Sequence, residues 1–155
     1  MAREHHYATT VTWTGNLGTG TSGYRDYRRE HDVTTDGRPT IQGSSDPTFR
    51  GDPTRWNPEQ LLLASLSQCH MLAYLHLCAD KGVVVTDYVD HATATMTTDH
   101  TGNGHFTEVM LRPQVTVADP ASVDIATALH DDAHHTCFIA NSVNFPVRHD
   151  PVTTT

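Results

Sequence analysis

The 155-residue chain is short of lysine, of cysteine and of unbroken apolar sequence, and each shortage narrows what it can do. Lys81 is its one lysine, and 10 basic residues against 18 acidic ones leave a formal charge of −8. Nucleic acid and anionic membrane surfaces both reward clustered Lys and Arg, so neither is expected as a partner. Three cysteines are too few, and odd in number, for the disulfide framework of a secreted mini-protein. The chain opens without a charged stretch, apolar run and small-residue cleavage site, so no signal peptide is expected. The longest apolar-rich stretch, Leu61 to Ala79, is interrupted by Gln68, His70 and His76 and reads as too polar for a membrane span. Together these point to a reducing cytoplasmic compartment, where a thiol that matters is catalytic rather than structural. Neither Cys-x-x-Cys nor His-Glu-x-x-His spacing occurs. The tandem His134-His135 would point about 100° apart on a helix. No metal or other cofactor is therefore expected, although Cys69, His70, His76, His134, His135 and Cys137 are the residues from which a metal site would have to be built.

What is present fits one domain over residues 1–155, large enough to bury a core without metal or disulfide. Tyr7 to Trp13 is rich in Thr, Val and aromatics and predicts a strand. The glycine-rich Gly15 to Gly23 predicts a hairpin turn, since no apolar helix follows to make it a phosphate loop. Tyr24 to Thr35 predicts a second strand, and Gly37 to Thr54 a long loop. Asn57-Pro58-Glu59 is a helix start, with Asn at the cap, Pro at the first position and an acid in the first turn. The helix should run to Lys81, stop at Gly82, and lie buried at the centre, because apolar residues cover most of its circumference. Strands follow at Val83–Val89 and His91–Thr98. A Thr101–Gly104 turn then leads into a return strand over Phe106–Val117, where Pro113 implies an edge or bulge. A second helix from Asp119-Pro120 to about His135, a short helical piece after Cys137 and a last strand over Ser142–Arg148 complete an α+β pattern.

Cys69 falls in the middle of the long helix, where a lone cysteine often serves as a small hydrophobe. Cys78 lies nine residues on, about 900° of rotation and roughly 13 Å along the axis, on the opposite face. The two cannot bridge while the helix stands, so Cys78 reads as core. Cys137, in His134-His135-Thr136-Cys137, sits at a break between helical segments. There a helix N-terminus and neighbouring histidines would favour its thiolate, unless burial is its role.

The run Asn57 to Met71, NPEQLLLASLSQCHM, resembles the signature of the OsmC/Ohr family, the osmotically inducible and organic hydroperoxide resistance proteins. His134 to Val143, HHTCFIANSV, is similar to that family's second cysteine motif, and the spacing of 68 residues between Cys69 and Cys137 fits. The resemblance implies an intertwined α+β homodimer. It also implies a thiol-dependent peroxidase acting on organic hydroperoxides or hydrogen peroxide, recycled by a thiol or dithiol reductant. Cys69 would be the attacking thiolate and Cys137 its resolving partner. A catalytic arginine paired with Glu59 would be either Arg50, in the stretch before the helix, or Arg25, in Gly23-Tyr24-Arg25-Asp26. The chemistry agrees with that set. A guanidinium near the sulfur favours the thiolate and stabilises the departing alkoxide. A carboxylate fixes its aim. Glu59 and Cys69 are ten residues apart, roughly 15 Å along one helix. An arginine held by Glu59 would therefore reach Cys69 of a second chain more easily than that of its own. Phe138, where the family places Pro, and Gln68 and His70, which flank Cys69, depart from the pattern. A family-like stress protein with a non-catalytic binding role, or a His/Cys metal protein, are the alternative readings.

Overall fold

The computed structural model describes residues 2–155, which divide into two compact units on either side of Leu61, through Leu61 and from 62 to 155. In the first, β1 (Thr10–Trp13), β2 (His31–Thr34) and β3 (Ile41–Gly43) form an antiparallel sheet in that order. The Gly15–Gly23 stretch is a turn, as expected. The Asn16 carboxamide accepts the N–H groups of Gly18 and Gly20 at 2.8 and 3.0 Å, which closes the chain on itself. Tyr24–Thr35 is a strand only in its last third. The Arg29 guanidinium donates to the Tyr27 and Tyr24 carbonyls at 2.6 and 2.8 Å. That consumes acceptors a ladder would need and winds Tyr24–Arg29 into a knot. The long loop is also more ordered than expected, holding β3 and a 3-10 turn at Pro47–Phe49 capped by Asp46. Gly51 is required there, because a Cβ would lie 1.5 Å from the Ser45 carbonyl oxygen.

Helix α1 (Pro58–Asp80) is fastened at both ends. Asn57 Oδ1 accepts the Gln60 N–H at 2.8 Å, and Gln60 Oε1 accepts the Asn57 N–H at 3.2 Å, a reciprocal capping box. At the other end Gly82 has φ 70°. The Val83 N–H reaches the Cys78 carbonyl and the Gly82 N–H that of Ala79, the two bonds of a Schellman stop.

In the second unit, β4 (Val85–Asp90), β7 (Pro113–Val117) and β9 (Val152–Thr154) form one sheet. The other is β5 (Thr93–Thr98), β6 (Gly104–Leu111) and β8 (Val147–His149). Each sheet combines an antiparallel pair with a parallel one. The expected return strand over Phe106–Val117 is thus two strands in two sheets, broken at Arg112. Pro113 begins the second, where a missing N–H costs least. Asp90 holds the bend, accepting the Arg112 N–H at 2.6 Å on one oxygen and the Ser67 hydroxyl of α1 on the other. Of the expected last strand only Val147 and Arg148 are in β8, its Ser142 end belongs to a 3-10 turn, Ala140–Ser142, and β9 lies beyond it, where no strand was expected. Helix α2 (Val123–Thr136) follows a 3-10 turn at Pro120–Ser122.

The core gathers Tyr74 and Cys78 of α1, Val115 and Val117 of β7, and Ala126, Leu129 and Ala133 of α2. By length and apolarity α1 does qualify as a membrane span, contrary to the expectation from its three polar residues. Its packing into this core gives the stretch its apolar character another use. Nor is α1 buried all round. Leu66, His70, Tyr74 and Cys78 form its buried stripe, whereas Leu72 is 60% exposed.

Candidate active site

Cys69 projects from α1 and Cys137 follows the last residue of α2, and the two thiols lie close enough for Cys69 to perturb Cys137. Both sulfurs are free. The two thiols are thus neighbours in the fold, while Cys78 is buried in the core as expected. The two thiols differ in setting. Cys69 is partly exposed and Cys137 buried. Burial and the contact with Cys69 push the Cys137 thiol up to about 11, overriding the Ala140 N–H that points at its sulfur from 3.4 Å. The expected thiolate-favouring effect of a helix start at Cys137 is thus outweighed by desolvation. Cys137 stays a thiol, held in place where the Asn141 N–H bonds its carbonyl and the Asn141 carboxamide bonds that of His135.

Cys69 opens into a cleft of about 750 Å³ lined chiefly by apolar side chains, among them Leu72, Ala73, Leu77, Phe138 and Ile139. Leu72, Ala73, His76 and Leu77 recur three, four, seven and eight residues from Cys69, the spacing of one helix face. That stripe was readable from the sequence once Cys69 was chosen; Ile139 was not, because its approach depends on the tertiary fold. Phe138, in the position of the family's proline, is 81% exposed at this cleft.

The arginine candidates are found together. Arg25 and Arg50 both line a cleft of about 400 Å³ in the first unit, with Arg28, Arg29 and Glu30. Arg50 is in the left-handed region at φ 66°. Arg29 is held by its two carbonyls and by the Tyr24 and Tyr27 rings, at 4.4 and 4.0 Å. Glu59 Oε2 is buried with no hydrogen-bond partner among the described residues, and no ion pair joins Glu59 to an arginine among them. No group of three or more His, Cys, Asp or Glu among the described residues is disposed to hold a metal ion.

One feature escaped the sequence reading altogether. His70 and His130 are fully buried and hydrogen-bonded, Nε2 to Nδ1, at 3.0 Å. Tyr74 stacks on His130 at 3.9 Å.

The fold has counterparts among known proteins. The OsmC-like protein family model matches residues 51–151, and the chain belongs to that family. An OsmC-like protein of unknown function from Vibrio cholerae is 30% identical and superposes with a TM-score of 0.85, over 96% of this chain and all of that one. An organic hydroperoxide resistance protein from Elizabethkingia anophelis, crystallised with thiocyanate bound, shares the fold at 18% identity, a TM-score of 0.67 and 99% coverage of both chains. A third, from Legionella pneumophila, is 20% identical with a TM-score of 0.64, over 98% of this chain and all of that one. No curated protein matches.

Proposed function

We propose that this protein is a cysteine-based peroxidase that reduces organic hydroperoxides. The observation that carries the reading is the nearness of a partly exposed and a buried thiol at the wall of an apolar cleft. Cys69, as thiolate, attacks the outer peroxide oxygen. The O–O bond breaks, the alkoxide leaves and takes a proton as the alcohol, and Cys69 becomes a sulfenic acid. The Cys137 sulfur then attacks Cys69, its proton departs with the hydroxide as water, and a disulfide remains for an external dithiol to reduce. The difference between the sulfurs suits the order of events: the accessible one meets the peroxide, while the buried one stays protonated and in reserve. The cleft's apolar lining favours an alkyl or aryl peroxide over hydrogen peroxide, since apolar substrate surface is buried against Leu72, Leu77 and Phe138.

The thiolate needs a cation, and Arg50 or Arg25 is its proposed source, oriented by Glu59. A homodimer accounts for two features together. It would supply a partner for the unpaired Glu59 oxygen and a cover for the open apolar stripe of α1. A reducing cytoplasm would supply the dithiol. One equivalent of organic hydroperoxide should convert the reduced protein to an intramolecular Cys69–Cys137 disulfide, detected as a linked peptide pair in a non-reducing digest. In the Cys137→Ser variant the first reduction should persist and Cys69 should over-oxidise to the sulfinic acid under excess peroxide. A protein that leaves the peroxide untouched, or that links Cys69 to any other thiol, would refute this assignment.

A further inference from the structure

We infer that the buried His70–His130 hydrogen bond is the pivot that sets Cys137 against Cys69, which makes the two histidines positioning residues for the disulfide step. The inference rests on the thiol pairing above, and geometry carries it. His70 follows Cys69 directly, so on α1 the two residues differ by about 1.5 Å along the axis and 100° around it. Their partners on the other side, His130 and Cys137, are seven residues apart, about 10 Å along α2. Both contacts can be made at nearly one level of α1 only if α2 lies across that helix rather than along it. The crossing is occupied by the histidine pair and by Tyr74, whose ring stacks on His130. Cys137 is therefore at the end of a lever about 10 Å long, and a 10° swing at the pivot moves its sulfur by nearly 2 Å. Displacements of about 1 Å are enough to cost a reaction a hundredfold.

The pivot is directional, not merely space-filling. His130 Nε2 is buried with no partner among the described residues. An unpaired lone pair is tolerated more readily than an unpaired N–H, so the favoured tautomer has the proton on His130 Nδ1, donating to His70 Nε2. The parallel rings, 8° apart, keep donor and acceptor in line. A Leu or Phe of similar bulk would preserve the packing and lose this alignment.

The test separates positioning from folding, and the inference from the peroxidase reading, by driving the disulfide with diamide. This diazene takes two electrons and two protons from the two thiols and needs no peroxidase chemistry. The Asn carboxamide N–H falls where His130 Nδ1–H lies, whereas the Gln carboxamide falls nearer Nε2. In the full-length protein, His130→Asn should close the Cys69–Cys137 disulfide within about threefold of the parental rate. His130→Gln and His130→Leu should slow closure tenfold or more, with unchanged circular dichroism and an unchanged rate of first alkylation at Cys69. If the Leu variant fails to fold, the Asn and Gln variants decide the matter, since both bury an amide. Equal closure rates in those two, or a folded Leu variant closing at the parental rate, would overturn the inference. A parent that closes with diamide but ignores hydroperoxide would instead refute the peroxidase reading and leave the pivot standing.

Discussion

Cys69 and His70 are neighbours in the chain, yet the faces of α1 they occupy have opposite characters. The His70 face is closed and carries three polar-capable side chains, His70, Tyr74 and Cys78, among its four buried residues. The Cys69 face is open and carries Leu72, Ala73 and Leu77 along the cleft. An ordinary surface helix buries its apolar stripe and exposes the polar one. Here part of the apolar surface, Leu72 above all, is left open at the cleft, and leaving such a leucine exposed forgoes about 1.5–3 kcal/mol of burial. The contrast teaches that one helix can serve the core with one face and leave apolar surface open on the other.

The strongest way to break the contrast is to remove sulfur from each face in turn. Cys69→Ser should reduce peroxide consumption to the uncatalysed level, while Cys78→Ser, on the closed face, should leave turnover within about twofold in a coupled assay. Equal losses would mean that the two faces do not divide chemistry from structure.

Acid should single out the closed face. Burial first, then the neighbouring histidines, hold His70 down to about 4 and His130 to about 3. His149 and His134 face the pair as further positive charges once protonated, Asp131 opposes them with a bond to His149 at 2.8 Å, and Tyr74 stays neutral. The unfolded chain takes up protons near 6.5 and the folded one does not. The stability contributed by the neutral pair is therefore complete above 6.5 and declines as pH falls toward 4, by up to about 1.4 kcal/mol per unit for each histidine. Denaturant titrations between pH 7 and 4 should show that slope, and in the doubly substituted His70→Phe, His130→Leu protein it should flatten.

The smallest effect belongs to the open face. Leu72→Ala should raise the KM for an apolar hydroperoxide about tenfold and leave hydrogen peroxide consumption unchanged, since only the former uses the cleft wall. Steady-state kinetics with both substrates would measure the difference.

The sequence announced what is local. The Asn57 cap, the Gly82 stop, the two helices and the Cys69 motif are encoded within a few residues of where they act. It was silent wherever distant segments decide. Nothing in the alternation of Phe106–Val117 foretold that Arg112 would turn the strand into a second sheet, because the bend is held by Asp90, 22 residues earlier. The pairing of Cys69 with Cys137 was an expectation from family likeness rather than from spacing. The union of His70 and His130, 60 residues apart, had no local signal at all. The two arginines remained an open pair, and their shared cleft keeps both in play.

The double fastening of α1 bears on how the oxidised form is reached. Cys69 lies 12 residues after the Asn57 cap and 13 before Gly82, in the stiffest part of a 23-residue rod whose two ends are locked against fraying. Unwinding there would sacrifice several ladder bonds for one covalent link. Cys137 belongs to a turn joining α2 to a three-residue 3-10 segment, and its rearrangement breaks few such bonds. In the proposed cycle the two sulfurs are thus anvil and hammer: one would stand still and the other do the travelling.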